Sequence, residues 1–217
     1  MHTLARIPAR EARLNRQTGN RAFTLIELLT VIGIIAILAA ITFGVVKGVN
    51  ERAAIGQAKT ELAVLSQALE AYKKQYGDYP QTGLVAVGPN TTTALAATHT
   101  QALLFNALAG KLGPKLGSAA EITNSAINSK SFVELSRFSL ETTTLPSVNN
   151  ATAALNSFLD PWGRRYMYYY NSAAAGWRHP GYILFSVGPN ADYQAPTNTV
   201  NNYTHANNLD SIYANKN

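Results

Sequence analysis

Gly19–Val46 reads GNRAFTLIELLTVIGIIAILAAITFGVV, and from Leu28 to Val46 it runs nineteen residues without a charge. At helical rise that is long enough to cross the hydrocarbon core of a bilayer. Arg21 ends the polar leader before it, Phe23 begins the apolar run, and Glu27 stands alone inside, with no Lys or Arg until Lys47. A carboxylate at bilayer depth costs about 2.5–3.5 kcal/mol on insertion scales, so a plain anchor has no reason to keep one. A cut between Ala22 and Phe23 would supply the missing cation. Phe23 would gain a free ammonium group and Glu27 would become the fifth residue of the shortened chain. Amine and carboxylate would then neutralise each other at i,i+4 spacing within one chain, or between staggered neighbours. The buried charge thereby becomes an assembly device.

Charge distribution agrees with a processed leader. Residues 1–22 hold Arg6, Arg10, Arg13, Arg16 and Arg21 against Glu11, four of the six formal positive charges of the 217-residue chain. The remaining chain has 13 basic and 11 acidic residues, so the pI of about 9.5 belongs mostly to the leader and is poor support for nucleic-acid binding. Basic residues on the N-terminal flank keep that end cytoplasmic and place the rest across the membrane. The apolar run exceeds that of an ordinary secretory peptide and no clear A-x-A cleavage signal follows it, so the helix is expected to stay with the protein. There is no cysteine, and a domain outside the cytoplasm must hold together by packing, a metal or its neighbours.

Phe23-Thr24-Leu25-Ile26-Glu27-Leu28 resembles the prepilin peptidase motif of type IV pilins and type II secretion pseudopilins. The resemblance implies cleavage before Phe23, N-methylation of its amine, and Glu27 as the carboxylate that sets filament register. The family usually has Gly before the cut and this chain has Ala22, with Gly19 three residues earlier. Alanine is nearly as small, so processing is expected to survive, if more slowly. The missing cysteines set the chain apart from the many type IV pilins whose C-terminal loop is disulfide-bridged.

Beyond the membrane stretch, Ile55, Ala58, Leu62, Leu65, Leu69, Tyr72 and Tyr76 recur at spacings of three and four, one apolar stripe on a long amphipathic helix. Gly77 with Tyr79-Pro80 beyond it predicts the helix end. Residues 76–84, YGDYPQTGL, resemble the segment after the long helix in the G-type major pseudopilin of type II secretion. Residues 85–157 are rich in Thr, Ala, Asn and Ser. Within them Thr100–Leu108 predicts a short helix ended by Gly110, burying Leu104 and Leu108 with Phe105 or Leu103, while Ser131–Leu140 fits a strand or a short helix equally. This middle region is enlarged relative to the G-type pseudopilins. Asp160-Pro161-Trp162-Gly163 has the residues of a type I turn. Tyr166–Tyr170 and Tyr182–Val187 suit strands, with Ile183, Phe185 and Val187 predicted to cover the helix stripe. The turn, the tyrosine-rich strand and Ser186-Val187-Gly188 are again similar to the G-type family.

The expected fold is α+β and pilin-like: a long N-terminal helix packed against a small C-terminal antiparallel sheet. The expected segments are a cleaved basic leader (1–22), a membrane and filament-core helix (23–46), its amphipathic extension (47–77), an enlarged variable region (78–158) and a C-terminal sheet with a loop (159–217). In the G-type pseudopilins that loop binds calcium. The resemblance places Asn190 where an aspartate is usual, with Asp192 as a compensating charge and Asp210-Ser211-Ile212 as the closing pair. Calcium takes six to eight oxygen ligands. Asn and Asp also favour turns, and that reading stands beside the metal one.

Other chemistry is thin. His2, His99, His179 and His205 are dispersed, and there is no P-loop, dinucleotide fingerprint or nucleophile elbow, so no enzyme is expected. Tyr166, Tyr168 and Tyr170 read as sheet packing, with Arg164 and Arg165 the local hint of an anionic ligand such as DNA. The resemblance implies a subunit of a type II secretion pseudopilus, inserted once in the inner membrane with its domain in the periplasm. Its expected partners are further copies of itself, minor pseudopilins, prepilin peptidase, the inner-membrane assembly platform and membrane lipid. The alternatives are a type IV pilin serving adhesion, motility or DNA uptake, and a non-polymerising membrane-anchored binding domain.

Overall fold

The computed structural model describes residues 23–115, 124–126, 129–143, 145, 155–172, 176–197 and 205–214. The fold is α+β and pilin-like, with one long α-helix, one short α-helix and small antiparallel sheets among the described residues. The chain divides into two units, residues 1–46 and residues 47–217.

Helix α1 is Leu25–Tyr76. In the first unit it contains an apolar span, Leu25–Thr42, of 18 residues with none buried. Eighteen residues rise about 27 Å, close to the thickness of a bilayer core. Phe23 is 85% exposed, and Leu25, Ile26, Leu28, Ile32, Ile35, Leu38 and Ile41 are all exposed as well.

In the second unit the predicted stripe forms. Ala58, Leu62, Leu65, Leu69 and Tyr72 are buried, with Ala68 beside them. The helix closes where Gly77 adopts φ +87° and donates its N–H to the Lys73 carbonyl at 2.7 Å. Glycine enters that left-handed conformation without a Cβ clash. Helix α2, Thr100–Leu108, has the predicted limits, but all nine residues are buried rather than one face. Leu104, Phe105 and Leu108 join the main core with Leu62, Leu65 and Leu69, while Leu103 packs with Tyr72, Ala107 and Leu112. Its polar residues therefore need partners, and Gln101 donates to the Val87 carbonyl at 2.7 Å.

Strands β1 (Leu112–Lys115) and β2 (Asn124–Ala126) pair antiparallel, as do β3 (Ser139–Leu140) and β4 (Phe158–Leu159). Ser131–Leu140 is thus neither a full strand nor an α-helix. It holds a single 3-10 turn, Leu135–Arg137, and the two residues of β3. The Asp160–Gly163 turn is made as predicted. Gly163 donates its N–H to the Asp160 carbonyl at 2.9 Å, and the Asp160 carboxylate accepts the N–H groups of Trp162 and Arg164 at 3.0 and 2.9 Å. Its other oxygen takes the Ser186 hydroxyl at 2.6 Å, tying the turn to the sheet.

The C-terminal sheet runs β5 (Met167–Tyr169), β6 (Ile183–Ser186), β7 (Ile212–Tyr213), all antiparallel. Its faces are the reverse of the prediction. Tyr182 and Leu184, with Tyr166, Tyr168 and Tyr170, share a core with Leu62, Leu65 and Leu69 of α1, while Ile183, Phe185 and Val187 pack with Met167 and Tyr169 against Leu84, Ala86, Tyr193 and Ala195. Both faces of β6 are buried, so apolar content does not tell them apart. Hydroxyl partners do. On the helix side Tyr166 donates to Glu61 at 2.7 Å, Tyr168 to the Pro80 carbonyl at 3.0 Å and Tyr170 to Asp78 at 2.6 Å.

Candidate functional site

At the N-terminus the chain sets a Thr-x-x-Glu box. Thr24 donates from its backbone N–H and from its hydroxyl to Glu27 Oε2, each at 2.8 Å, and its hydroxyl accepts the Glu27 N–H at 3.3 Å. This is a capping box, which satisfies orphan donors of the first helical turn from within. Two more hydroxyls in the apolar span turn onto their own helix: Thr30 donates to the Ile26 carbonyl and Thr42 to that of Leu38, the latter at 2.8 Å. Every polar side chain between Phe23 and Thr42 is therefore hydrogen-bonded within a turn of itself, as a surrounding without water demands. Thr24 was not singled out from the sequence, although its spacing from Glu27 is the signature of the box. Ala22 lies outside the described residues.

At the C-terminus the four candidate metal residues are arranged as follows. Asn190 Oδ1 accepts the Asp192 N–H at 2.9 Å, an Asx turn within its own arm of the loop, and the Asp192 side chain is exposed. Asp210 lies against Gly188, where a Cβ would come within 2.7 Å of the Asp210 carbonyl oxygen. Asp210 Oδ2 and Ser211 Oγ are buried without a hydrogen-bond partner among the described residues. The Gly188 and Pro189 carbonyls, which flank the site, accept from the Arg164 guanidinium, the second at 3.0 Å. The two arms are joined by Asn208, whose side chain accepts the Gln194 N–H at 2.8 Å and donates to the Gln194 carbonyl at 3.0 Å. Among the described residues Asp210 Oδ2 and Ser211 Oγ are the buried oxygens here without a hydrogen-bond partner, fewer than the six to eight that a calcium ion takes. Among the described residues no three His, Cys, Asp or Glu side chains gather where they could hold a metal ion.

Of the two arginines that hinted at an anionic ligand, Arg164 binds two loop carbonyls and Arg165 is spent on the fold. Arg165 is fully buried. It donates from Nε to Glu141 Oε2 at 2.7 Å, from one terminal nitrogen to the Gly88 and Asn90 carbonyls at 3.1 and 2.9 Å, and from the other to the Thr93 carbonyl at 2.8 Å and to Glu141 Oε1. All five donors are used, so none is left for a phosphate. Glu141 also accepts the Ser157 hydroxyl at 2.7 Å. Burial pushes the Glu141 carboxyl up, but the hydrogen bonds from Arg165 and Ser157 and the arginine charge outweigh it and hold it below the usual range. Asp160 goes the other way: burial raises it, and the Ser186 and backbone hydrogen bonds only partly offset that. Tyr166, Tyr168 and Tyr170 are buried, with no open face on which a base or sugar could stack. The ordinary turn role suits two histidines: the Nδ1 atoms of His99 and His205 accept N–H groups from Ala96 and Asn207 at 2.9 and 3.2 Å.

Among family models the chain matches the prokaryotic N-terminal methylation motif over residues 18–43. No curated protein and no solved structure matches it. The match spans the predicted cut, the capping box and the whole apolar span Leu25–Thr42. The chain thus carries the N-terminal signal of type IV pilin-like proteins on a helix long and apolar enough to cross a membrane, a signal that in general implies processing by a prepilin peptidase and filament assembly.

Proposed function

We propose that the chain is a structural subunit of a type II secretion pseudopilus, mechanical rather than catalytic. The leader is removed before Phe23, the helix is held in the inner membrane with the leader side cytoplasmic, and the domain works in the periplasm. The observation that carries this reading is Glu27. Its Oε2 accepts two hydrogen bonds from Thr24, but the segment contains no cation to balance its charge. Cleavage creates that cation one residue before Thr24, where the Phe23 ammonium can pair with Glu27 of its own chain or of the next one in a stagger. The secretion rather than pilus assignment rests on the separate likeness of residues 76–84, 160–163 and 186–188 to G-type pseudopilins and on the absence of cysteine. A DNA-uptake role is less favoured because Arg165 is fully buried with its five donors used.

The test is the intact and N-terminal peptide mass of protein from cells with and without prepilin peptidase. A chain beginning at methylated Phe23 only when the peptidase is present supports the reading. A leader retained in both would turn it into a membrane-anchored binding domain that does not polymerise. Glu27→Ala is expected to insert normally and to lose filaments, scored by crosslinking with the assembly machinery present. Filaments at the wild-type level would remove Glu27 from the mechanism.

A further inference from the structure

The segment between β6 and β7 leaves the sheet at Ser186 and returns at Ile212, which pair with each other across the two strands. An excursion of this length has to be fastened at its base, because an open loop of that size loses closure entropy each time it docks. Among the described residues two side chains fasten it near its base, while farther out His179 Nε2 lies 3.1 Å from the Thr197 carbonyl and Tyr193 and Ala195 pack against Met167 and Tyr169. Arg164 spans the carbonyls of Gly188 and Pro189 with its two terminal nitrogens. Asn208, fully buried, imitates a piece of strand and binds both backbone groups of Gln194 on the opposite arm. Gly188 has φ +77° and no side chain, which lets Asp210 close against it from the returning arm.

Arg164 is delivered to this place by the preceding turn. Its N–H donates to the Asp160 side chain at 2.9 Å, and its carbonyl accepts the Asp160 N–H at 2.7 Å, so the backbone is pinned on both sides before the side chain reaches the loop. The fork of a guanidinium matches two neighbouring carbonyls in the way a single ammonium does not. A divalent ion closing the same loop would need oxygens at its start and at its return. At the start, the carbonyls of Gly188 and Pro189 already face a positive charge and Asn190 Oδ1 is committed to Asp192. A second cation there would be repelled by the first.

We propose that Arg164 and Asn208 are a built-in latch between the two described arms of the 188–210 loop, the guanidinium taking up the Gly188 and Pro189 carbonyls, so that holding these arms together in this chain needs no calcium. A subunit fastened this way keeps its loop docked in calcium-poor surroundings. The inference does not depend on which filament the chain enters.

The test uses the full chain in detergent and follows protease cleavage within residues 188–210 by mass spectrometry, with chelator or with added calcium chloride. The wild-type rate is expected to agree between the two conditions within about twofold, whereas Arg164→Met and Asn208→Ala should each raise it roughly tenfold in both, the effect of weakening a local closing equilibrium. Arg164→Lys, which keeps the charge and loses the fork, should fall between. Slower cleavage of the wild type in calcium, abolished by Asp210→Asn, would overturn the proposal, as would an unchanged rate in Arg164→Met. The calcium comparison on the wild type needs no variant, so it decides the matter even if a substitution prevents folding.

Discussion

Two stretches of helix α1, both rich in Leu, Ile and Ala, solve the same problem in opposite ways. Between Leu25 and Thr42 the apolar side chains point outward all round and every polar side chain bonds to its own helix. Between Ala58 and Tyr72 the apolar side chains form one buried stripe, and polar groups beside it reach distant parts of the chain: Glu61 accepts from Tyr166 and Glu70 from Tyr79, each at 2.7 Å. The difference follows from the surroundings. Lipid offers no hydrogen-bond partner, so the first stretch must be self-sufficient; a folded domain offers many, so the second can be specific. The carboxylates repeat the contrast. Glu27 is held by a neighbour three residues away, Glu141 by Arg165 twenty-four residues away.

The largest expected effect is on the second kind of carboxylate. Arg165→Met removes five hydrogen bonds and leaves Glu141 unpaired in a partly buried site, and should destabilise the domain by about 3 kcal/mol in urea unfolding. Adding Glu141→Leu should recover part of that loss, since the unpaired charge is then gone. Leu65→Ala comes next, with about 3 kcal/mol lost from the stripe. Ile35→Ala, in the exposed span, should leave the unfolding midpoint of the domain unchanged. Equal effects of these two would erase the distinction between the stretches.

Thr24→Ala should weaken the helix start by about 1 kcal/mol. The sign of this change would be faster hydrogen exchange at the amides of residues 25–28 with an unaltered domain midpoint. The smallest effect is in acid. Because the Glu141 carboxyl is held below its ordinary value, its contribution to stability is complete above the unfolded glutamate pKa of about 4.3 and is lost as pH falls through the lower folded value. Glu141→Gln should flatten the stability profile in that window. An unchanged slope would mean that another carboxylate governs it.

How much of this was legible in advance depended on the distance over which each feature acts. The stripe, the helix end at Gly77, the limits of α2 and the Asp160 turn are set by spacing and by residues a few positions apart, and the structure has them where the pattern places them. The capping box was equally local, and its Thr-x-x-Glu spacing was the signal to find it. The assignment of sheet faces failed because β6 is covered on both sides, so alternation carries no direction there. Arg165 read as a free charge beside tyrosines because its carbonyl partners in the 88–93 loop are 72 to 77 residues away.

By itself, then, the sequence determined the long apolar helix, the methylation motif at its head, and the periodic face on which a domain condenses, because run length, charge and spacing act on the local chain whatever surrounds it. Only the tertiary structure decided which side of the sheet meets the helix, that Arg165 is interior, and that Arg164 and Asn208 hold the C-terminal loop. Those outcomes depend on carbonyls and amides brought together from separate segments, and a backbone carbonyl leaves no mark in the sequence that says which side chain will find it.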